Sequence, residues 1–374
     1  GFAKRKAIFR PRLGCTLVNE ISESKLRSQK FRLPPLPTTA DSMPWPVGDR
    51  ITKTDPNFKK QKLALATDFL FKETYKGKKP MTRAVLIVYK GNIIAEHYAE
   101  GYHQRSKFLG WSMAKSVTGA LIGVLVRQGK LNITQPAPVE EWNAPSDKRH
   151  SITTEHLLLQ QSGLDFVEDY SSHSNATHML FNKGDMAGYV ASLPLKQSPG
   201  TEFYYSSGNS NLLSGIVRRV VGENEYHSFP YTQLFYKLSM FHTLLEPDAS
   251  GTFVGSSYIY ASARDYARFG LLYLQHGIWN GERILPEDWV KKTTRAPKSN
   301  IWKNYGYQFW LNGLNESDLT KKAFPQLPDD MFMADGYGGQ RIYIIPSKEL
   351  VIVRMGLNKF DEQRFLGLVL DAID

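Results

Sequence analysis

The chain has a single cysteine, Cys15, among 374 residues, which excludes an intrachain disulfide and any metal cage built on several thiolates. Its nine histidines supply no substitute. No two of them stand in HxxxH or HExxH spacing, so a zinc enzyme is not expected and no cofactor is assigned. Long apolar runs are also missing. The longest, Ala120 to Val126, is interrupted only by Gly123 and is too short to span a bilayer. There is no internal repeat and no low-complexity tract. What is present is ordinary globular usage, 41% hydrophobic and 22% charged, which excludes wholesale disorder. The length allows one large domain or two smaller ones.

Acidic residues are outnumbered, 36 against 47, for a net charge of +11. Residues 1–32 hold nine of the cations (Lys4, Arg5, Lys6, Arg10, Arg12, Lys25, Arg27, Lys30 and Arg32) against Glu20 and Glu23, so +7 belongs to this arm. The basicity is therefore expected to lie mainly outside the folded body. A nucleic-acid partner would call for a basic face interleaved with aromatics or a known module, and neither occurs. The arm reads as a segment that touches anionic lipid after a removed targeting or membrane segment, or as a solvated charge run. The start at Gly1, without Met, fits missing upstream residues. A periplasmic or secreted location, tethered upstream, is expected, with cytoplasmic as the alternative because one cysteine suits any compartment.

Five prolines, Pro34, Pro35, Pro37, Pro44 and Pro46, make an extended strap, so 1–54 reads as arm and strap and 55–374 as the body. Helical spacing covers Asp55 to Lys76, with Asp55-Pro56 as its start signal. Residues 83–98 read as a hairpin around Lys90-Gly91-Asn92, and Trp111 to Gln128 as a helix. The stretch from about 150 to 260 is loop-rich with short helices. Ser262 to Gln275 is another helix, YGYQFWLNG, QRIYIIP and ELVIVRMG are strands, and a helix closes the chain from about Asp361. The fold expected is α+β. An antiparallel sheet built from both ends of the chain (about 55–150 and 260–374) is flanked by helices and carries a mostly helical insertion, about 150–260.

Three pieces carry chemistry. Ser112 and Lys115 stand three apart at the start of a helix, on one face. Met113, Ala114, Val117 and Ala120 surround Lys115 with apolar groups; desolvation disfavours an ammonium and makes a general base. A serine hydroxyl beside such an amine can act as a nucleophile without histidine. An N-cap serine with an unrelated surface lysine would look the same. The second piece, Tyr204-Tyr205-Ser206-Ser207-Gly208-Asn209, projects a phenol from a loop, where it can pass a proton to a leaving group. It also reads as a turn and helix cap. The third, Asp335-Gly336-Tyr337-Gly338-Gly339-Gln340, precedes a strand whose glycines let backbone approach a ligand. A backbone N–H there could join that of Ser112 around an oxyanion, or the segment could be a plain Gly-rich turn.

In this order and at these separations the pieces resemble the serine β-lactamase and penicillin-binding superfamily. ITTEHLLLQQSGLDF at 152–166 and the stretch 256–290 are similar to its text as well, and the resemblance covers roughly 55–374. GYGGQRIYIIP and VEDYSS (167–172) point to the class C-like branch of 6-aminohexanoate-dimer hydrolases and related esterases. The resemblance implies a serine hydrolase acting through an acyl-enzyme on a small-molecule ester or amide. Ser112 would be the nucleophile, Lys115 its base and Tyr205, rather than the adjacent Tyr204, the proton relay. The backbone N–H groups of Ser112 and Tyr337 would form the oxyanion hole, and Tyr170 and Gly338 would contact substrate. There are departures: Ser207 stands where an Asn is usual, no K-T-G or S-D-N occurs, and Lys292-Thr293-Thr294 falls in a predicted helix. No cation precedes Gly338-Gly339 to grip a carboxylate. β-Lactamase or D-Ala-D-Ala peptidase action is the alternative, together with a non-catalytic binding protein on the same fold. The oligomeric state is not assigned.

Overall fold

A computed structural model describes residues 5–37, 42–52 and 57–374. The predicted start signal Asp55-Pro56 and the arm residue Lys4 lie outside these. Helix α1 is Glu23–Ser28 and α2 Lys60–Lys72, the latter ending four residues before the predicted Lys76. Strands β1 (Ala7–Arg10) and β2 (Gly14–Leu17) pair as a hairpin. Strands β3 (Thr82–Tyr89) and β4 (Asn92–Tyr98) form the hairpin expected around Lys90-Gly91.

A short strand β5 (Phe108–Leu109) leads into α3 (Met113–Arg127). The helical part follows, with α4 (Thr154–Leu158), α5 (Asn175–Asn182), α6 (Met186–Ala191) and α7 (Ser207–Val221). Strands β6 (Leu244–Leu245) and β7 (Ile259–Ala261) join β5 in a small sheet of order β5-β7-β6. Helix α8 is Ala263–Leu274, β8 (Ile278–Trp279) pairs with β9 (Glu282–Arg283), and α9 is Trp289–Thr293, which contains Lys292-Thr293 as predicted. Strands β10 (Trp310–Leu311), β11 (Leu314–Asn315), β12 (Asp318–Lys322), β13 (Phe332–Gly336), β14 (Gln340–Ile345) and β15 (Leu350–Gly356) precede the closing α10 (Glu362–Ile373).

The main sheet runs β10-β13-β14-β15-β3-β4, antiparallel throughout, so β3 and β4 from the first third of the chain close against β15 from its end. Side-chain alternation fixes its two faces. Val85, Ile87, Tyr343, Ile345 and Ile352 pack with α2 and α10. Ala84, Leu86, Val88, Ile342, Ile344 and Val353 share a core with α3, α8 and the helical part. Helix α3 is buried on all sides from Met113 to Leu125, as a helix apolar all round must be, and it joins sheet to helical part.

The arm is not separate from the folded body. Its hairpin seats on the β6–β7 region: the Cys15 N–H donates to Glu246 Oε1 at 2.6 Å and Thr16 Oγ1 to the Pro247 carbonyl at 2.9 Å. Several of its cations have partners within the chain: Lys6 and Arg27 pair with Glu23, and Arg12 donates to the Tyr236 hydroxyl at 2.7 Å. The sequence misled here because charge density was read as exposure, whereas the alternating Ile8 and Thr16 face inward. The strap is held too. Arg268 donates to the carbonyls of Pro46 and Gly48 at 2.9 and 2.8 Å and pairs with Asp49 and Asp265.

Candidate active site

Helix α3 begins where the backbone turns sharply out of β5. Trp111 sits at φ +48°, a left-handed conformation that costs a non-glycine residue about 1–3 kcal/mol and marks a constrained junction. Ser112 follows as the residue capping α3 and is partly open to solvent. Lys115, one turn on, is 1% exposed. Its Nζ lies 3.1 Å from Ser112 Oγ, 3.0 Å from Ser207 Oγ and 3.0 Å from the Ser256 carbonyl. Burial pulls its pKa down to about 8, while the more distant Glu168 and Asp335 carboxylates push it up. When neutral, this amine offers a lone pair to the Ser112 hydroxyl, the arrangement of a base beside a nucleophile.

The second piece converges on the first. Ser206 caps α7 by accepting from Gly208 and Asn209 N–H groups, which leaves Tyr205 just outside the helix and Ser207 in its first turn. The Tyr205 ring lies under Lys115, with Nζ 5.0 Å from its centroid. It stacks on Trp310 at 5.2 Å and meets Tyr305 edge-on at 5.8 Å. Burial raises the pKa of its phenol well above the ordinary value, and a hydrogen-bond interaction with Ser112 opposes that rise. Tyr204 points elsewhere; its hydroxyl accepts the Glu168 N–H at 3.0 Å.

Tyr170 also reaches the cluster. Its hydroxyl is 3.0 Å from Ser207 Oγ and donates to Glu168 Oε1 at 2.7 Å, and burial together with Glu168 raises its pKa. Glu168 is the residue that sequence reasoning missed. Its carboxylate accepts from Ser207 Oγ at 2.6 Å and from the Ser207 N–H at 2.8 Å. A continuous chain of hydrogen-bonding groups thus runs Glu168, Ser207, Lys115, Ser112. The stretch VEDYSS contains Glu168, but nothing in its spacing ties it to a helix 39 residues later. Ser207, in the place of the usual Asn, uses its hydroxyl to bridge lysine and carboxylate.

The third piece forms the tight β13–β14 turn, Tyr337-Gly338-Gly339, with Gly338 at φ +79° and Gly339 at φ +86°. A Cβ on Gly336 would collide with the Gly110 carbonyl oxygen, so only glycine lets this strand end lie against the backbone two residues before Ser112. The Tyr337 side chain is exposed and meets Trp111 with ring centroids 5.9 Å apart. The Gly336 carbonyl accepts the Gly339 N–H at 3.2 Å, and a planar trans peptide therefore turns the Tyr337 N–H out of the turn. Among the described residues neither this N–H nor that of Ser112 donates to another backbone group.

The turn is tied from behind by Gln340, the last residue of the third piece, and by Arg354, which the sequence did not single out. Gln340 Nε2 donates to the Tyr337 carbonyl at 3.1 Å. Fully buried Arg354 donates to the carbonyls of Gly338 and Gly339 at 3.2 and 2.9 Å. Gly338 therefore presents a bare, partly exposed α-carbon, with its carbonyl committed to Arg354. Arg341 faces away, paired with Asp335 and with Glu362 at 2.8 Å.

The beta-lactamase family model matches residues 80–365, more than half of the chain. A 6-aminohexanoate-dimer hydrolase from Paenarthrobacter ureafaciens is 24% identical over 296 residues, covering 73% of this chain and 72% of that protein. Among solved structures, a family VIII carboxylesterase superposes with TM-score 0.62 at 16% identity, over 83% of this chain and 96% of that one. A penicillin-binding-protein homologue from Caulobacter crescentus gives TM-score 0.60 at 15% identity, over 82% and 96%. The expected β-lactamase-like α+β fold and the kinship with hydrolases are borne out.

Proposed function

The chain belongs to the beta-lactamase family, and from that premise we propose that it is a serine hydrolase that cleaves small carboxylic esters or amides through an acyl-enzyme on Ser112. The observation that carries the reading is the buried Lys115 amine, its pKa lowered to about 8, 3.1 Å from Ser112 Oγ. Neutral Lys115 takes the Ser112 proton as Oγ attacks the carbonyl carbon. The tetrahedral oxyanion is received by the N–H groups of Ser112 and Tyr337, an interaction worth roughly 3–4 kcal/mol per donor in such sites. The proton moves by way of the Tyr205 phenol to the leaving oxygen or nitrogen, and the C–O or C–N bond breaks. Water then attacks the acyl-enzyme, giving its proton back through the same groups, and releases the acid and free Ser112. Glu168 and Ser207 hold Lys115 and Tyr170 in place.

Ester or amide hydrolysis is favoured over action on β-lactams because the cation nearest the turn on β14, Arg341, is spent on Asp335 and Glu362. Arg341 is thus not free to hold a penicillin carboxylate. The reading predicts hydrolysis of p-nitrophenyl esters, loss of that activity in Ser112→Ala and little turnover of nitrocefin. An unchanged rate in Ser112→Ala would remove the nucleophile from the account. Rapid nitrocefin turnover would favour the β-lactamase alternative.

A further inference from the structure

Resting on that reading, we infer that the acyl half of the substrate is an apolar chain, held in a cavity walled by the N-terminal hairpin. The cavity has a volume of about 270 Å³ and lies between β1–β2 and the body, with Trp111, Tyr258, Leu180 and Met186 among its walls. It adjoins the cleft through Trp111, which directly precedes Ser112 and touches both Tyr258 and Tyr337, at 6.4 and 5.9 Å. The leaving group must sit by Tyr205 to be protonated. Tyr205 packs on Tyr305 and Trp310, and neither lines the cavity. The half of the substrate that faces Trp111 is therefore the acyl half.

The chemistry of the walls selects the chain. Five polar residues at the cavity's rim are already engaged within the protein. Glu246 accepts the Cys15 N–H at 2.6 Å, and Asp248 accepts the Met186 and Thr252 N–H groups at 2.9 and 3.1 Å. Lys183 pairs with Glu20 at 2.7 Å, Thr16 donates to Pro247, and Asn19 donates to the Phe181 carbonyl at 3.1 Å. A polar acyl chain would give up water and find few groups left to replace it. An apolar chain gains with every methylene it removes from water.

The test uses a series of p-nitrophenyl esters from acetate to octanoate. In the native chain kcat/KM should rise roughly threefold to fourfold per methylene until the cavity is filled. Cys15 lines the cavity and is exposed. Cys15→Trp should lower the octanoate-to-acetate ratio by about tenfold, the worth of two buried methylenes. A second readout needs no turnover. In Ser112→Ala, p-nitrophenyl octanoate should slow N-ethylmaleimide labelling of Cys15, the sole cysteine, and the acetate should not. Ester turnover with a flat chain-length series and no protection of Cys15 overturns the inference and leaves the hydrolase reading standing. Protection by octanoate, with no ester hydrolysed by the native chain, overturns the hydrolase reading while the cavity stands as an apolar-chain site.

Discussion

Lys115 is an amine with three hydrogen-bond acceptors and, among the described residues, no carboxylate in ion-pair contact. Its folded pKa of about 8 lies below the ordinary 10.5, so the neutral form grows as pH rises through 8. The same shift makes the folded state bind fewer protons than the unfolded one, and its cost to stability fades as pH climbs from 8 toward 10.5. Glu168 acts against the shift, because its negative charge favours the ammonium. Glu168→Gln removes that charge while keeping an acceptor for the Ser207 N–H. The pH at which ester hydrolysis rises should therefore move downward in the variant, as read from the pH dependence of kcat/KM. An unmoved profile would leave Glu168 a purely structural ligand of Ser207. The Ser112–Lys115 pair was legible in the sequence because one helical turn joins its members. Glu168 was not, because only tertiary folding brings its loop to the start of α7.

At the scale of the element, the β13–β14 turn is positioned by contacts its own sequence does not announce. Arg354 and Gln340 hold its carbonyls from behind, and Gly336 lets it close on Gly110. A methyl group on Gly336 must push the turn away from Ser112. Gly336→Ala should therefore lower kcat by about a hundredfold, the loss seen when one oxyanion donor is removed, with KM changed little. Native circular dichroism in the variant would confirm that the fold survives, and activity within a few-fold of native would show that the turn supplies no donor. Elements with strong internal patterns were legible. Helix α3 is an apolar block, α8 is capped by Ser262, and β14 and β15 carry the apolar runs Ile-Tyr-Ile-Ile and Leu-Val-Ile-Val. Strand β13 was missed because Phe-Met-Ala is followed by Asp335 and Gly336, which read as a loop. The β1–β2 hairpin was missed because Arg10, Pro11 and Arg12 interrupt its pattern, and its pairing depends on the seat at Glu246.

Across the whole molecule, the cluster exists because α3 runs between two differently built parts. The sheet, closed by strands from both ends of the chain, supplies the β13–β14 turn. The helical part supplies Tyr205, Ser207, Glu168 and Tyr170, and the small sheet supplies Ser256 through the segment before β7. Residues far apart in sequence thus surround one hydroxyl, with the amine as the only member close to it along the chain. The central claim is that a desolvated Lys115 makes Ser112 reactive. It is tested most directly by the rate at which a fluorophosphonate modifies the chain, followed by mass spectrometry as a function of pH. The account predicts one adduct, on Ser112, forming faster as pH rises through about 8 and not forming in Lys115→Met. An adduct on another residue, or labelling of Ser112 at the native rate without Lys115, would contradict it.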